Sequence, residues 1–190
     1  QMDKIELLYD SSRTVEAGEQ LKQFQEQFQD VPLAMEWAEN ISYDIEFLAP
    51  GSPFPDFSFM TITGDTVSTN SMEGIPFIIE ITRFDNPLYQ RQYDRTVAIY
   101  QIYNNFGLDI ITVPVATNPV MFEAFFEERD MLWKLVQPDS FNAEELIERF
   151  NITRVPTRFL VNSDGQIIRR YIGEEYQEVV RGLQNITSSN

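Results

Sequence analysis

Two strand-length runs, residues 75–81 and 110–115, are almost continuously apolar, and such runs read as strands buried on both faces. Between them Pro87 opens a helix that carries on to Phe106, where Gly107 stops it. Two buried strands joined by one long helix form a parallel pair, and such a crossover is right-handed. This unit restricts the chain to the α/β class and leaves the other segments to be placed around it.

Downstream, Pro119 starts a helix to about Arg129, and Asn142 caps another over residues 143–150. Strands over 158–161 and 166–172 are joined by Asn162-Ser163-Asp164-Gly165, a hairpin signal, and a last helix runs from about Glu174 to Leu183. Upstream, the three prolines Pro50, Pro53 and Pro55 forbid a helix. Thr63-Gly64-Asp65-Thr66 has the turn chemistry of a β-hairpin between Phe57-Phe59-Thr61 and Val67. Before the prolines, Ala17, Leu21, Phe24 and Phe28 make one apolar stripe on a helix reaching about Gln29. Asp30-Val31-Pro32 ends that helix, and a short apolar stretch (Leu33, Met35, Trp37) follows. The expected organisation is a helical extension over 1–49 and an α/β domain over 50–190, with the extension's stripe buried on its own domain or on a partner.

Three stretches carry a family resemblance. Pro50-Gly51-Ser52-Pro53-Phe54-Pro55-Asp56-Phe57-Ser58-Phe59 is followed by Thr63-Gly64-Asp65 and by Met72-Glu73-Gly74-Ile75-Pro76. The second is Ile152-Thr153-Arg154-Val155-Pro156-Thr157-Arg158-Phe159-Leu160-Val161-Asn162, and the third is Asp164-Gly165-Gln166-Ile167-Ile168 with Gly173. Together, over about residues 50–185, they resemble the thioredoxin-like superfamily, in the branch of the peroxiredoxins and the exported TlpA/ResA-like thioredoxins. The resemblance implies a central mixed sheet flanked by helices, an N-terminal hairpin, and a cis Val155–Pro156 peptide beside the redox site.

The departure from that family is chemical. The chain holds no cysteine and no histidine. A disulfide, a thiolate, a zinc site of the N/S type and a Ser-His-Asp triad are all excluded. The family's Cys-x-x-Cys falls where the first buried strand turns into the long helix, and there Asn86 and Tyr89 stand in place of the two cysteines. Asn86, Tyr89 and Pro156 are thus the degenerate active-site positions, with no catalytic residue and no cofactor expected. Asp85 or Asn86 caps the helix, or else Arg83, Asn86 and Tyr89 form a small anion or peptide contact.

The long helix carries two apolar stripes. Ile99, Ile102, Tyr103 and Phe106 are expected to lie on the sheet. Tyr89, Tyr93, Val97 and Tyr100 make the other, read either as core or, through Arg83, Tyr93, Val97 and Tyr100, as a partner surface. Carboxylates at Glu123, Glu127, Glu128 and Asp130 read as a solvated face, Glu174 and Glu175 as favourable charges at a helix start, and no metal is expected.

A formal charge of −16 repels nucleic acid and anionic lipid, and serves solubility or a cationic partner surface. No run approaches the ~20 apolar residues of a spanning helix. The reading that follows is a redox-inactive interaction module with protein partners, an accessory subunit of a larger membrane-associated complex. The exported branch it resembles, and the opening Gln1-Met2, favour a periplasmic or secreted location. The alternative is an extracytoplasmic binding protein that uses the vacated groove for a peptide or small anion.

Overall fold

The structure is a computed structural model that describes residues 1–127, 129–173 and 176–187, with backbone alone at 176, 177 and 185–187. The expectations for Glu128, Glu174 and Glu175 lie outside the described residues. The chain separates into two compact units, Gln1–Pro53 and Phe54–Asn190.

The first unit is three helices: α1 (Met2–Asp10), α2 (Thr14–Phe28) and α3 (Pro32–Phe47). The stripe read on α2 is buried within this unit: Ala17, Leu21 and Phe24 pack with Ile5 and Leu8 of α1 and with Ala38 and Ile41 of α3. Phe24 meets Phe28 at 4.7 Å and the edge of Trp37 at 5.0 Å. The apolar stretch after Pro32 is a full helix, and proline at its first position gives up no internal hydrogen bond and presets φ. The stretch holds Ala34, Trp37, Ala38, Ile41 and Ile45 at helical spacing on the buried side.

The second unit opens with a hairpin of β1 (Ser58–Met60) and β2 (Thr66–Ser68). Then come β3 (Phe77–Thr82), α4 (Pro87–Tyr103), β4 (Asp109–Pro114) and α5 (Pro119–Phe126). They are followed by β5 (Lys134–Leu135), α6 (Ala143–Arg149), β6 (Thr157–Val161), β7 (Ile167–Ile172) and α7 (Tyr176–Thr187). The sheet order is β5-β4-β3-β6-β7. β3 runs parallel to β4 and antiparallel to β6, so the sheet is mixed. α4 ends in a 3₁₀ turn over Asn104–Phe106, and Gly107 takes the left-handed conformation (φ 86°) that closes it without a Cβ penalty. The two-residue β5 was not legible in the sequence, since so short a strand has no period to read.

Alternation along the strands divides the core. On one face Ile78, Ile110 and Leu160 pack with Tyr89, Tyr93 and Ile99 of α4 and with Val179 and Leu183 of α7. α7 approaches through Gly182, where an added Cβ would run into the Tyr171 hydroxyl and Leu160. On the other face Phe77 and Phe159 meet Phe54, which also contacts Phe57 and Phe150. Among the described residues no helix is long and apolar enough to cross a membrane.

Candidate functional site

The chain leaves β3 through Arg83, Phe84 and Asp85 and enters α4 at Asn86, with the phenyl ring of Phe84 buried. Arg83 donates from Nε and Nη2 to the two carboxylate oxygens of Asp85, at 3.0 and 2.7 Å. That hydrogen-bonded pairing raises the pKa of Arg83 and holds the Asp85 carboxyl below its usual value.

Asn86 is the N-cap. Its Oδ1 accepts from the backbone N–H groups of Leu88 and Tyr89, at 2.9 and 3.1 Å. Its own carbonyl accepts the N–H of Gln90 at 3.1 Å, and Pro87 has no N–H to offer. Its Nδ2 donates to the carbonyl of Val155 at 3.2 Å, across the start of β6. The Val155–Pro156 peptide is cis, as the resemblance implies, and Pro156 is buried. The first turn of α4 therefore presents no spare donor to an anion.

Tyr89 goes inward. Its side chain is fully buried, and its hydroxyl donates to Glu80 Oε1 at 3.0 Å. Glu80, itself fully buried in β3, also accepts from Thr112 Oγ1 at 2.6 Å and, through Oε2, from Nε of the buried Arg158 at 3.1 Å. Arg158 Nη1 donates to Gln92 Oε1 at 3.0 Å, and Gln92 Nε2 donates to the carbonyl of Gly173 at 3.1 Å. The indole N–H of Trp133 donates to Thr112 Oγ1 at 2.8 Å. An ion pair this dry persists only when its remaining lone pairs and protons are matched. The network engages both carboxylate oxygens of Glu80 and the Nε and Nη1 of Arg158, and it ties α4 to β3, β4, β6 and the end of β7. Burial first, and then the charge of Glu80, pushes the Tyr89 hydroxyl well above its ordinary pKa. The same two causes push Tyr93 up to about 12.

Sequence reasoning missed Glu80, Arg158, Gln92 and Thr112, although a signal was there. Glu80 is the charged residue in the apolar run 75–81, and Arg158 lies in the strand that closes against it. A charge in a doubly buried strand needs a partner, and the antiparallel register sets Glu80 opposite Arg158.

The stripes of α4 divide differently from expectation: Ile99 lies on the sheet as read, Ile102 and Phe106 do not, and the tyrosine stripe takes its core reading. The sheet-facing residues are Tyr89, Gln92, Tyr93, Thr96 and Ile99. Tyr93, proposed from sequence as part of a partner surface, is 2% exposed; its ring packs against Phe125 and Trp133, and its hydroxyl donates to the carbonyl of Asp130 at 2.9 Å. Val97 and Tyr100 are half-buried against the same cluster, which leaves Arg83 as the exposed member of that set. Ile102 and Phe106, expected on the sheet, are 56% and 64% exposed. The physical reason is the polar network. The hydroxyl and amide groups of the inner face have buried partners, so polarity did not exclude these residues from the core. Among the described residues no group of three or more carboxylates is placed to hold a metal ion.

A mixed sheet in this strand order, with a long helix starting beside a cis proline, can be compared with solved structures. The chain aligns with the thioredoxin domain of a thiol-disulfide oxidoreductase from Bacteroides vulgatus at a TM-score of 0.62 and 19% identity, over 71% of this chain and 98% of that one. The chain has a thioredoxin fold. A thiol:disulfide interchange protein of the thioredoxin family from Chlorobium tepidum gives a TM-score of 0.62 at 19% identity, over 73% of this chain and 98% of its own. StoA from Bacillus subtilis gives 0.56 at 22% identity, over 71% of this chain and 99% of its own.

By sequence the chain is similar to the thiol-disulfide oxidoreductase ResA of Bacillus cereus, 21% identical over 145 residues, covering 76% of this chain and 82% of that protein. ResA of Halalkalibacterium halodurans is 20% identical over 158 residues, covering 80% and 88%. No family model matches. These relatives are named for thiol–disulfide exchange, and this chain has no sulfhydryl with which to perform it.

Proposed function

We propose that the chain is a redox-inactive thioredoxin-like protein that serves as a structural and interaction module, an accessory subunit of a larger membrane-associated assembly. One observation carries the reading. The side chain standing where the resemblance puts the second cysteine, Tyr89, is fully buried and bonded to Glu80. On this reading the second of the two positions has been absorbed into the core.

The alternative, a groove for a peptide or anion, loses its donors to Asn86 and its cation to the Arg83–Asp85 pair. Without cysteine or histidine the chain is read as non-enzymatic, and what is left to it is binding through its surface. Similarity to ResA-type proteins, within an exported branch of the superfamily, supports a periplasmic or secreted location.

The test is isolation of the protein from its source under mild conditions, followed by native mass spectrometry. A second chain in fixed stoichiometry is the expected result. A monomer with no associated chain, at the protein's natural abundance, overturns the reading.

A further inference from the structure

The inner face of α4 is fully engaged, and the outer face is not. Arg91, Arg95, Ala98 and Ile102 follow one another at spacings of four, three and four, and all are exposed. Phe106, in the 3₁₀ turn that ends the helix, continues the line. Residues three and four apart share a helix face, so these form one stripe. It is cationic at its N-terminal end and apolar at its C-terminal end, where Ile102 and Phe106 are 56% and 64% exposed. Apolar residues scattered singly on a surface need no explanation. Two in register with two arginines on one helix do.

The two arginines are exposed and, among the described residues, pair with no carboxylate, a state they share with Arg129 and Arg154 but not with most arginines that have a carboxylate in reach. Arg13, Arg83, Arg158, Arg169 and Arg181 each pair with a carboxylate. Among the described residues Arg91 and Arg95 do not, even though Asp94, the one acid in α4, lies between them in the sequence. On a chain with 30 acidic and 14 basic residues, two such cations in register with two exposed apolar side chains on one helix face make a local cationic and apolar stripe in an acidic surface.

We propose that this outer stripe of α4 docks an acidic amphipathic helix of a partner protein. The partner's apolar residues would lie against Ile102 and Phe106, and its carboxylates would meet Arg91 and Arg95. The inference rests on the interaction-module reading above and gives it a surface and a partner chemistry. A helix is the matching shape because the stripe is straight and has helical spacing, so a second helix can seat its own i, i+4, i+7 anchors beside it at ~8–10 Å between axes. Charge supplies the selection. The net field of the chain repels an acidic partner at long range, and salt screens that repulsion beyond ~8–10 Å. Attraction then exists only where the arginines are, which fixes both place and register. A basic partner would be drawn to the acidic surface everywhere and would have no preference for this face.

The probes are two synthetic helical peptides with the same apolar heptad positions, one flanked by glutamate and one by lysine. Each is titrated into the isotope-labelled full chain at physiological salt, and backbone amide shifts are followed by NMR. The expected result is that the glutamate peptide shifts amides along residues 91–106, with affinity falling roughly tenfold or more, ~1.4 kcal/mol or more, in Arg91→Glu/Arg95→Glu and in Phe106→Ser. All three positions are exposed, so these variants should unfold at the wild-type midpoint.

Three results overturn the proposal: no shifts at 91–106, equal binding of the lysine peptide on the same residues, or wild-type affinity in the arginine variant. A dimer of this chain that dissociates in the arginine variant also overturns it, by assigning the face to a second copy. Should the partner isolated from the source remain bound to the arginine variant, this surface fails while the interaction-module reading stands.

Discussion

The two faces of α4 are built against their composition. The inner face is rich in hydroxyls and amides, yet Tyr89, Gln92, Tyr93 and Thr96 are all buried. The outer face carries Ile102 and Phe106, yet both are exposed. The difference teaches that burial here follows partners rather than polarity. A polar side chain is admitted to the interior once its hydrogen bonds are made, and an apolar one is left out when the neighbouring element does not reach it. The inner face ties the helix into the fold, and the outer face is exposed.

The contrast is broken most severely at the ion pair. Arg158→Met leaves Glu80 charged and buried with only hydroxyl donors, and should cost ~3–5 kcal/mol in urea unfolding. A loss below ~1 kcal/mol would mean that the inner face does not depend on the network.

Alkaline pH attacks the same face through its phenols. The folded pKa values of Tyr89 and Tyr93 lie above the unfolded value near 10, with Tyr93 at about 12. Their contribution is complete below pH ~10 and is lost as pH rises through the folded values. Thermal midpoints should therefore fall between pH ~10 and ~12, together with a rise in tyrosinate absorbance, and Tyr93→Phe should flatten the fall. Ionisation of these tyrosines near pH ~10 with the fold intact would contradict their burial.

The cap is a smaller lever. Asn86→Ala removes the acceptor for two helix N–H groups and the bond to Val155, and should cost ~1–2 kcal/mol, with Asn86→Asp keeping most of the cap. At the outer face Ile102→Ser should move stability by no more than ~0.5 kcal/mol. An effect of ~2 kcal/mol there would show that Ile102 is a core residue after all.

Much of this architecture was legible in the sequence because its signals are local. Prolines opening α4 and α5, Asn142 capping α6, the Asn162–Gly165 turn and Gly107 after α4 place most element boundaries to within a few residues. The resemblance supplied the cis Pro156. The inner face was harder to read because its logic is non-local. Glu80 and Arg158 are 78 residues apart and acquire meaning only through the β3–β6 register. The stripe assignment held for Ile99 but not for Ile102 and Phe106, for the same reason. Period alone gives two candidate faces on α4, and the choice between them is made by Glu80, Thr112 and Arg158, none of which is on the helix. The third helix is harder to read because Pro32 both ends α2 and opens α3, and only the first of these is a local signal.

The central claim is that binding has moved from the helix start to the outer face of α4. The most direct test compares, by native mass spectrometry, the complexes formed in the source organism by Asn86→Ala and by Arg91→Glu/Arg95→Glu. The account predicts that the partner is retained by the first variant and lost from the second. Loss of the partner from Asn86→Ala, with retention by the arginine variant, would place the functional surface back at the vacated site.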